Sequence, residues 1–125
     1  MRVLLLEDND DGRTALRHLL ECWGHEVREE TTGVAALGAD AAFRPDVAIM
    51  DLALPGDMDG WTVARALSAR ADCPILIAYT GLGGSDLEDR AYDAGFDFFV
   101  LKPDVIDELQ DLLGVVSQHA LRRPR

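Results

Sequence analysis

Five side chains could do chemistry together if the fold brought them to one place: Glu7, Asp8, Asp51, Thr80 and Lys102. Each follows or closes a short apolar run. The run at 3–6 leads into Glu7 and Asp8, 47–50 into Asp51, 75–79 into Thr80, and 98–101 into Lys102 and Pro103. Two carboxylates 4 Å apart repel by roughly 4 kcal/mol at an effective dielectric near 20, so three together call for a cation or a proton. An all-oxygen ligand set favours a hard divalent ion, and Mg2+, which keeps several waters, suits an open pocket. Once the charge on incoming phosphoryl oxygens is neutralised, an aspartate can act as a nucleophile toward phosphorus. Lys102 and Thr80 could then offer a charge and a hydrogen bond to the same oxygens.

Convergence of these residues depends on the elements that carry them. The four runs are almost continuously apolar, as expected of strands buried on both faces of a parallel sheet. "HEVRE" at 25–29 alternates and suits an edge strand. Helical spacing fills the gaps. Leu16, Leu19, Leu20 and Trp23 precede Gly24 as a stop signal, with Asp10 and Asp11 at the start of that helix. A second helix opens at Thr32 or Gly33 and closes before Pro45, and a third starts near Asp59. A fourth is capped by Ser85 and ends at Gly95. A fifth starts near Asp104, carrying Val105, Leu109, Leu112, Leu113 and Val116. Five strands alternating with five helices require crossover connections and give a doubly wound α/β sheet. Ligands of such sheets bind beyond the carboxyl ends of the strands, where all five residues fall.

The 125 residues suffice for one domain, spanning 1–125 with no output domain expected. A formal charge of -11 disfavours nucleic acid, and no apolar run is long enough to span a membrane, so the setting expected is cytoplasmic. Cys22 and Cys73 lack metal spacing and read as reduced, packed thiols. His18, His25 and His119 form no ligand pair and read as structural or surface residues. "EDNDDG" at 7–12 invites a calcium-loop reading. That would need an acid where His18 stands and a helix where "VLLL" stands, so Asp10 and Asp11 go to helix capping and only Glu7 and Asp8 to the site.

In order along the chain, "ED" at 7–8, "MDLALPG" around Asp51, "YTG" around Thr80 and "LKP" at 101–103 resemble the receiver domain of two-component response regulators. The resemblance is strongest to the single-domain, chemotaxis-type members and covers essentially the whole chain. It implies a flavodoxin-like sheet of order 2-1-3-4-5 and a phosphoryl-accepting switch. Asp51 would take a phosphoryl group from a histidine kinase or histidine phosphotransfer protein. Glu7, Asp8 and Asp51, with the backbone carbonyl of Ala53, would ligate Mg2+. Thr80 and Lys102 would hold phosphoryl oxygens, and Phe99 would be the aromatic switch residue paired with Thr80. The fourth helix, fifth strand and fifth helix would form the face that meets an unknown downstream protein. A cis Lys102–Pro103 bond would also fit the family.

Some positions depart from the pattern. The stretch 51–60, "DLALPGDMDG", is one residue longer than usual, the extra one being Gly56, Asp57 or Met58, and Asp104 replaces an apolar residue after "KP". Two positions that tune phosphoryl lifetime in the family are apolar here, Ala53 and Leu82. Neither can orient a water or donate a proton, so self-dephosphorylation is expected to be slow. An aspartyl-phosphate hydrolase would need an acid at Ala53, and a flavin protein a Ser/Thr/Gly-rich loop where "EDNDD" stands. The remaining rival is a receiver-like binding module that is never phosphorylated.

Overall fold

In the computed structural model, which describes residues 1–52, 59–81, 84–101 and 106–120, strands and helices alternate throughout. They run β1 (Arg2–Leu6), α1 (Asp10–Cys22), β2 (Glu26–Glu30), α2 (Gly33–Phe43), β3 (Val47–Met50), α3 (Gly60–Ser68), β4 (Ile75–Thr80), α4 (Ser85–Ala94), β5 (Phe98–Leu101) and α5 (Ile106–Ala120). The five strands form one sheet of order β2-β1-β3-β4-β5, and every pairing is parallel. This is the doubly wound arrangement expected from the sequence. No described helix is long and apolar enough to cross a membrane.

The period-2 alternation of each strand explains why its sequence is apolar without interruption. Leu4, Leu6, Ala48, Met50, Leu76 and Ala78 join the cluster that includes Ala36 and Ala39 of α2, Val63 and Leu67 of α3, and Ala91 and Ala94 of α4. Their neighbours Val3, Leu5, Val47, Ile49, Ile77 and Val100 join the opposite cluster with Leu16, Leu20, Leu109, Leu113 and Val116 of α1 and α5. Both faces are covered, so a polar residue inside these strands would be buried on one side or the other. β2 escapes this rule because it lies at the sheet's edge, and none of its residues is fully buried.

The helix starts refine the sequence reading. Asn9, not Asp10 or Asp11, caps α1: its Oδ1 accepts from the Gly12 N–H at 2.7 Å, while the two acids lie in the first turn. Thr32 and Asp59 cap α2 and α3 by accepting from the N–H groups of Ala35 and Thr62. Ser85 does not cap α4. The cap position is Gly84 at φ 126, a left-handed conformation with no side chain to accept, and Asp86 and Glu88 in the first turn offset the exposed N–H groups instead. Cys22 also departs from expectation, being exposed on α1, whereas Cys73 is half-buried with its Sγ donating to the Pro74 carbonyl at 3.0 Å. The proposed starts of α5 at Asp104 and Val105, and the Lys102–Pro103 bond, lie outside the described residues.

One buried charge holds α2 to the segment that follows α3. Asp40 is 3% exposed and bonds the half-exposed Arg70 guanidinium, which also meets Asp72; Arg44 approaches Asp72 at 3.5 Å. Burial pushes the Asp40 carboxyl above its ordinary range, with Arg70 pulling it back and Asp72 adding to the rise. A carboxyl raised by folding adds stability that is complete below its unfolded range and is lost as pH climbs through the folded value. Arg70→Met removes the pulling partner and raises Asp40 further. The variant should therefore lose about 1–3 kcal/mol near pH 7, discounted for Arg70's exposure, and much less near pH 4. Urea unfolding at both pH values checks this; an equal loss at both would assign the effect to packing.

Candidate functional site

Sheet hydrogen bonding carries the acids into register. Leu6 stands opposite Met50, and one step further on the Asp51 N–H donates to the Leu6 carbonyl at 3.0 Å. On the other side the Glu7 N–H donates to the Glu30 carbonyl at 3.2 Å. The ladder thus continues past the ends of β1 and β3 and sets Glu7 beside Asp51. One ligand oxygen each from Glu7, Asp8 and Asp51 lies within 4.8 Å of the others, the only such group among the described residues. Glu7 is buried, Asp51 half-buried and Asp8 exposed, so the cluster opens on one side to solvent. Opposite ligands of a six-coordinate Mg2+ stand about 4.2 Å apart, from bonds of 2.0–2.1 Å. Three hard oxygens at this spacing, with an open side for water, fit such an ion.

Thr80 closes β4 and is 1% exposed. It pairs with Leu101, and Ala78 pairs with Phe99, so Thr80 and Phe99 are diagonal neighbours on adjacent strands. Phe99 is half-buried against the cluster that holds Ala78. The β4–β5 pairing brings this hydroxyl and this ring to the same region of the sheet. Ala53, Leu82 and Lys102, and the candidate extra residue at 56–58, lie outside the described residues.

Three further residues hold the acids, and their roles do not show in the sequence alone. Arg13, in the first turns of α1, donates from Nη1 to the Glu7 carbonyl at 3.2 Å and from Nη2 to Asp10 at 2.6 Å. Its Nε lies 3.7 Å from Glu29 of β2, which Arg17 holds in turn at 2.8 Å. The hydrogen bond to Asp10, helped by the charges of Asp10, Glu29 and Glu7, raises this guanidinium above its ordinary value. Arg13 thereby fixes the backbone between the two acids and places a positive charge beside them. Gly12 is not a calcium-loop glycine. A Cβ there would stand 3.3 Å from Glu7 Oε1, so its bareness makes room for that carboxylate under α1. Gly60 faces Asp51 still more closely, since a Cβ there would stand 2.3 Å from the Asp51 carbonyl oxygen. An arginine one turn into the helix after an acidic pair, and the Asp59–Gly60 step at a helix start, were the available signals.

Comparison with known proteins matches residues 3–114 to the family model of the response regulator receiver domain. The transcriptional regulatory protein KdpE of Mycobacterium tuberculosis is 39% identical over 106 residues, covering 85% of this chain and 46% of that protein. The response regulator MprA of Mycobacterium avium is 32% identical over 109 residues, covering 87% and 47%. The chain spans about half the length of these curated relatives. Among solved structures, the receiver domain of a signal transduction histidine kinase from Syntrophus aciditrophicus superposes with a TM-score of 0.88 at 26% identity, covering 98% of this chain and 94% of that one. The chemotaxis protein CheY4 of Vibrio cholerae shares the fold, with a TM-score of 0.85 at 24% identity and coverage of 92% and 97%.

Proposed function

This chain belongs to the response regulator receiver domain family, and on that premise we propose that Asp51 is its phosphoacceptor. Receiver domains take phosphoryl groups from histidine kinases and bind Mg2+ in an acidic pocket. The single observation that carries the assignment is the meeting of Glu7, Asp8 and Asp51 within 4.8 Å at the carboxyl edge of the sheet. An Asp51 carboxylate oxygen attacks phosphorus, the bond to the histidine nitrogen of a kinase or phosphotransfer protein breaks, and the imidazole leaves with the electron pair and takes a proton. Glu7, Asp8 and Asp51, with the carbonyl of Ala53, would hold Mg2+, which when bound neutralises charge on the carboxylates and the phosphoryl oxygens. Lys102 and the Thr80 hydroxyl are assigned to those oxygens, and Phe99 to the response that follows the hydroxyl's reorientation.

Output is proposed for the receiver unit: a shift between two conformations, read by a protein partner rather than by nucleic acid or membrane. The net charge of -11 supports that choice against nucleic acid; a cytoplasmic setting is part of the same proposal. Acting as a stand-alone regulator is part of this proposal, and the phosphoryl chemistry is the same inside a longer protein.

Intact mass measurement after exposure to acetyl phosphate and Mg2+ tests the reading. One phosphoryl group should be gained, should be absent when the metal is chelated, and should be released by hydroxylamine as an acyl phosphate. With Ala53 and Leu82 offering no water-orienting group, the purified adduct should also decay slowly, and rapid loss of label without a phosphatase would remove that part. No mass gain at all would leave a receiver-like binding module.

A further inference from the structure

The peptide that links Glu7 to Asp8 is gripped from two sides, and only one grip uses a side chain. From β2 the Glu30 carbonyl accepts the Glu7 N–H at 3.2 Å, a backbone bond that does not depend on residue type. From α1 the Arg13 Nη1 donates to the Glu7 carbonyl at 3.2 Å. Two acids hold the Arg13 side chain, which is itself only 14% exposed. Asp10 is a neighbour on α1 and 86% exposed, so it follows the guanidinium wherever that helix goes. Glu29 is 31% exposed and stands on β2 opposite Leu5 of β1. Leu5 packs with Leu16 and Leu20 of α1, so Glu29 leaves the sheet on the α1 side. Arg17 braces it from Nη1 at 2.8 Å, and Glu21 holds Arg17 in turn at 2.7 Å. Of the two acids on Arg13, only Glu29 belongs to the sheet. It sets where Arg13 stands relative to the peptide between the two ligands.

Arg13 acts on a metal in this pocket in two opposite ways. Its charge repels a divalent cation, which would weaken binding. Its bond to the Glu7 carbonyl holds Glu7 and Asp8 in place before the ion arrives, which strengthens binding. Asp10 at 2.6 Å and Glu29 at 3.7 Å already offset the charge, so the second effect should win. We propose that Glu29 is a positioning residue for the Mg2+ ligands, acting through Arg13 on the peptide between Glu7 and Asp8. The inference rests on the metal reading above and adds to it a residue that touches neither the ion nor its ligands. β2, an edge strand that supplies no ligand side chain, thereby contributes to metal affinity. Groups that orient metal ligands are worth about ten- to a hundredfold in affinity, and a contact as indirect as this one belongs at or below the low end.

The test is an Mg2+ titration of the full chain, read from the amide shifts of Glu7, Asp8 and Asp51, with circular dichroism to show that each variant is folded. Arg13→Met should weaken Mg2+ binding about tenfold. Arg13→Lys should weaken it about threefold, since lysine keeps the charge but not the fork that spans the Glu7 carbonyl, Asp10 and Glu29. Were charge alone at work, Arg13→Met would bind Mg2+ more tightly than wild type and Arg13→Lys equally well. Glu29→Gln should weaken binding about threefold on its own and hardly at all once Arg13 is Met, because its effect passes through that guanidinium. A Glu29 that attracted the ion by its own charge would show the same loss in both backgrounds. Tighter binding by Arg13→Met, or a Glu29→Gln loss that persists without Arg13, would each overturn the proposal. A wild type that binds no Mg2+ would remove the metal reading and this inference together. A wild type that binds, with Arg13→Met and Glu29→Gln binding as well as it does, would remove this inference alone.

Discussion

Asp51→Asn is expected to abolish phosphoryl uptake and, in the absence of divalent metal, to make the protein more stable. Both effects come from the same carboxylate. With ligand oxygens of Glu7, Asp8 and Asp51 within 4.8 Å, each pair repels by about 3.5 kcal/mol or more at an effective dielectric near 20 before solvent screening. Asp8 is exposed and Asp51 half-buried, so solvent screens most of that, and a net gain of about 1 kcal/mol is the reasonable expectation. Asn matches Asp in shape, and the Asp51 N–H bond to the Leu6 carbonyl involves only backbone, so that bond survives the exchange. For a domain of this size 1 kcal/mol corresponds to about 3–5 °C in Tm. Mg2+ should reverse the order. At a hundredfold its Kd a ligand of the native state adds about 2.7 kcal/mol, and the wild type, with all three acids, should gain most of it while the variant gains less. Melts with and without Mg2+ check both halves. A variant no more stable than wild type in chelator would show that the three acids do not strain one another.

The gathering of Glu7, Asp8 and Asp51 was legible in the sequence because these acids follow apolar runs. Burial on both faces dictates parallel strands, parallel strands dictate crossovers, and the crossovers deliver every strand's carboxyl end to one edge. Helix caps were less legible, because whether Asn9 or Asp10 caps α1 depends on the φ and ψ of a single residue. Gly84, in the left-handed region, displaced Ser85 from the same role. Only part of Arg13's role was legible: its spacing from Asp10 shows in the sequence, but its contacts with the Glu7 carbonyl and with Glu29 of β2 exist only because β1 pairs with β2. Cys22 misled because its type favours burial while its position on α1 points it to solvent. Contacts set by one strong periodicity can be read from the sequence; contacts that need two elements placed to within an ångström cannot.

Gly60 is the extreme case of such placement, and Gly60→Ala should be the most damaging glycine-to-alanine exchange among the described residues. A Cβ added there would lie 2.3 Å from the Asp51 carbonyl oxygen, 3.0 Å from the Leu52 Cα and 3.2 Å from the Asp51 carbonyl carbon. All three are backbone atoms, so no side chain can swing aside. Leu52 is itself buried, and Trp61, the next residue, holds its ring edge to Phe96 and beneath Arg90, so α3 cannot easily retreat. The strain must be met by moving the α3 start or the Asp51 backbone by about an ångström. Overpacking of this kind costs about 3 kcal/mol. Misplacing a reacting group by that distance can lower a rate about a hundredfold, so phosphorylation by acetyl phosphate should fall by roughly that factor even in molecules that remain folded. Gly38→Ala on α2 is the control: a Cβ there meets nothing within 4 Å, and the same exchange in a helix interior should stabilise by about 0.5–1 kcal/mol with uptake unchanged. Denaturant midpoints and initial phosphorylation rates of the two variants give opposite signs if the close approach of α3 to Asp51 positions the acceptor. A folded Gly60→Ala protein that takes up phosphoryl groups at the wild-type rate would show that Asp51 does not depend on that contact.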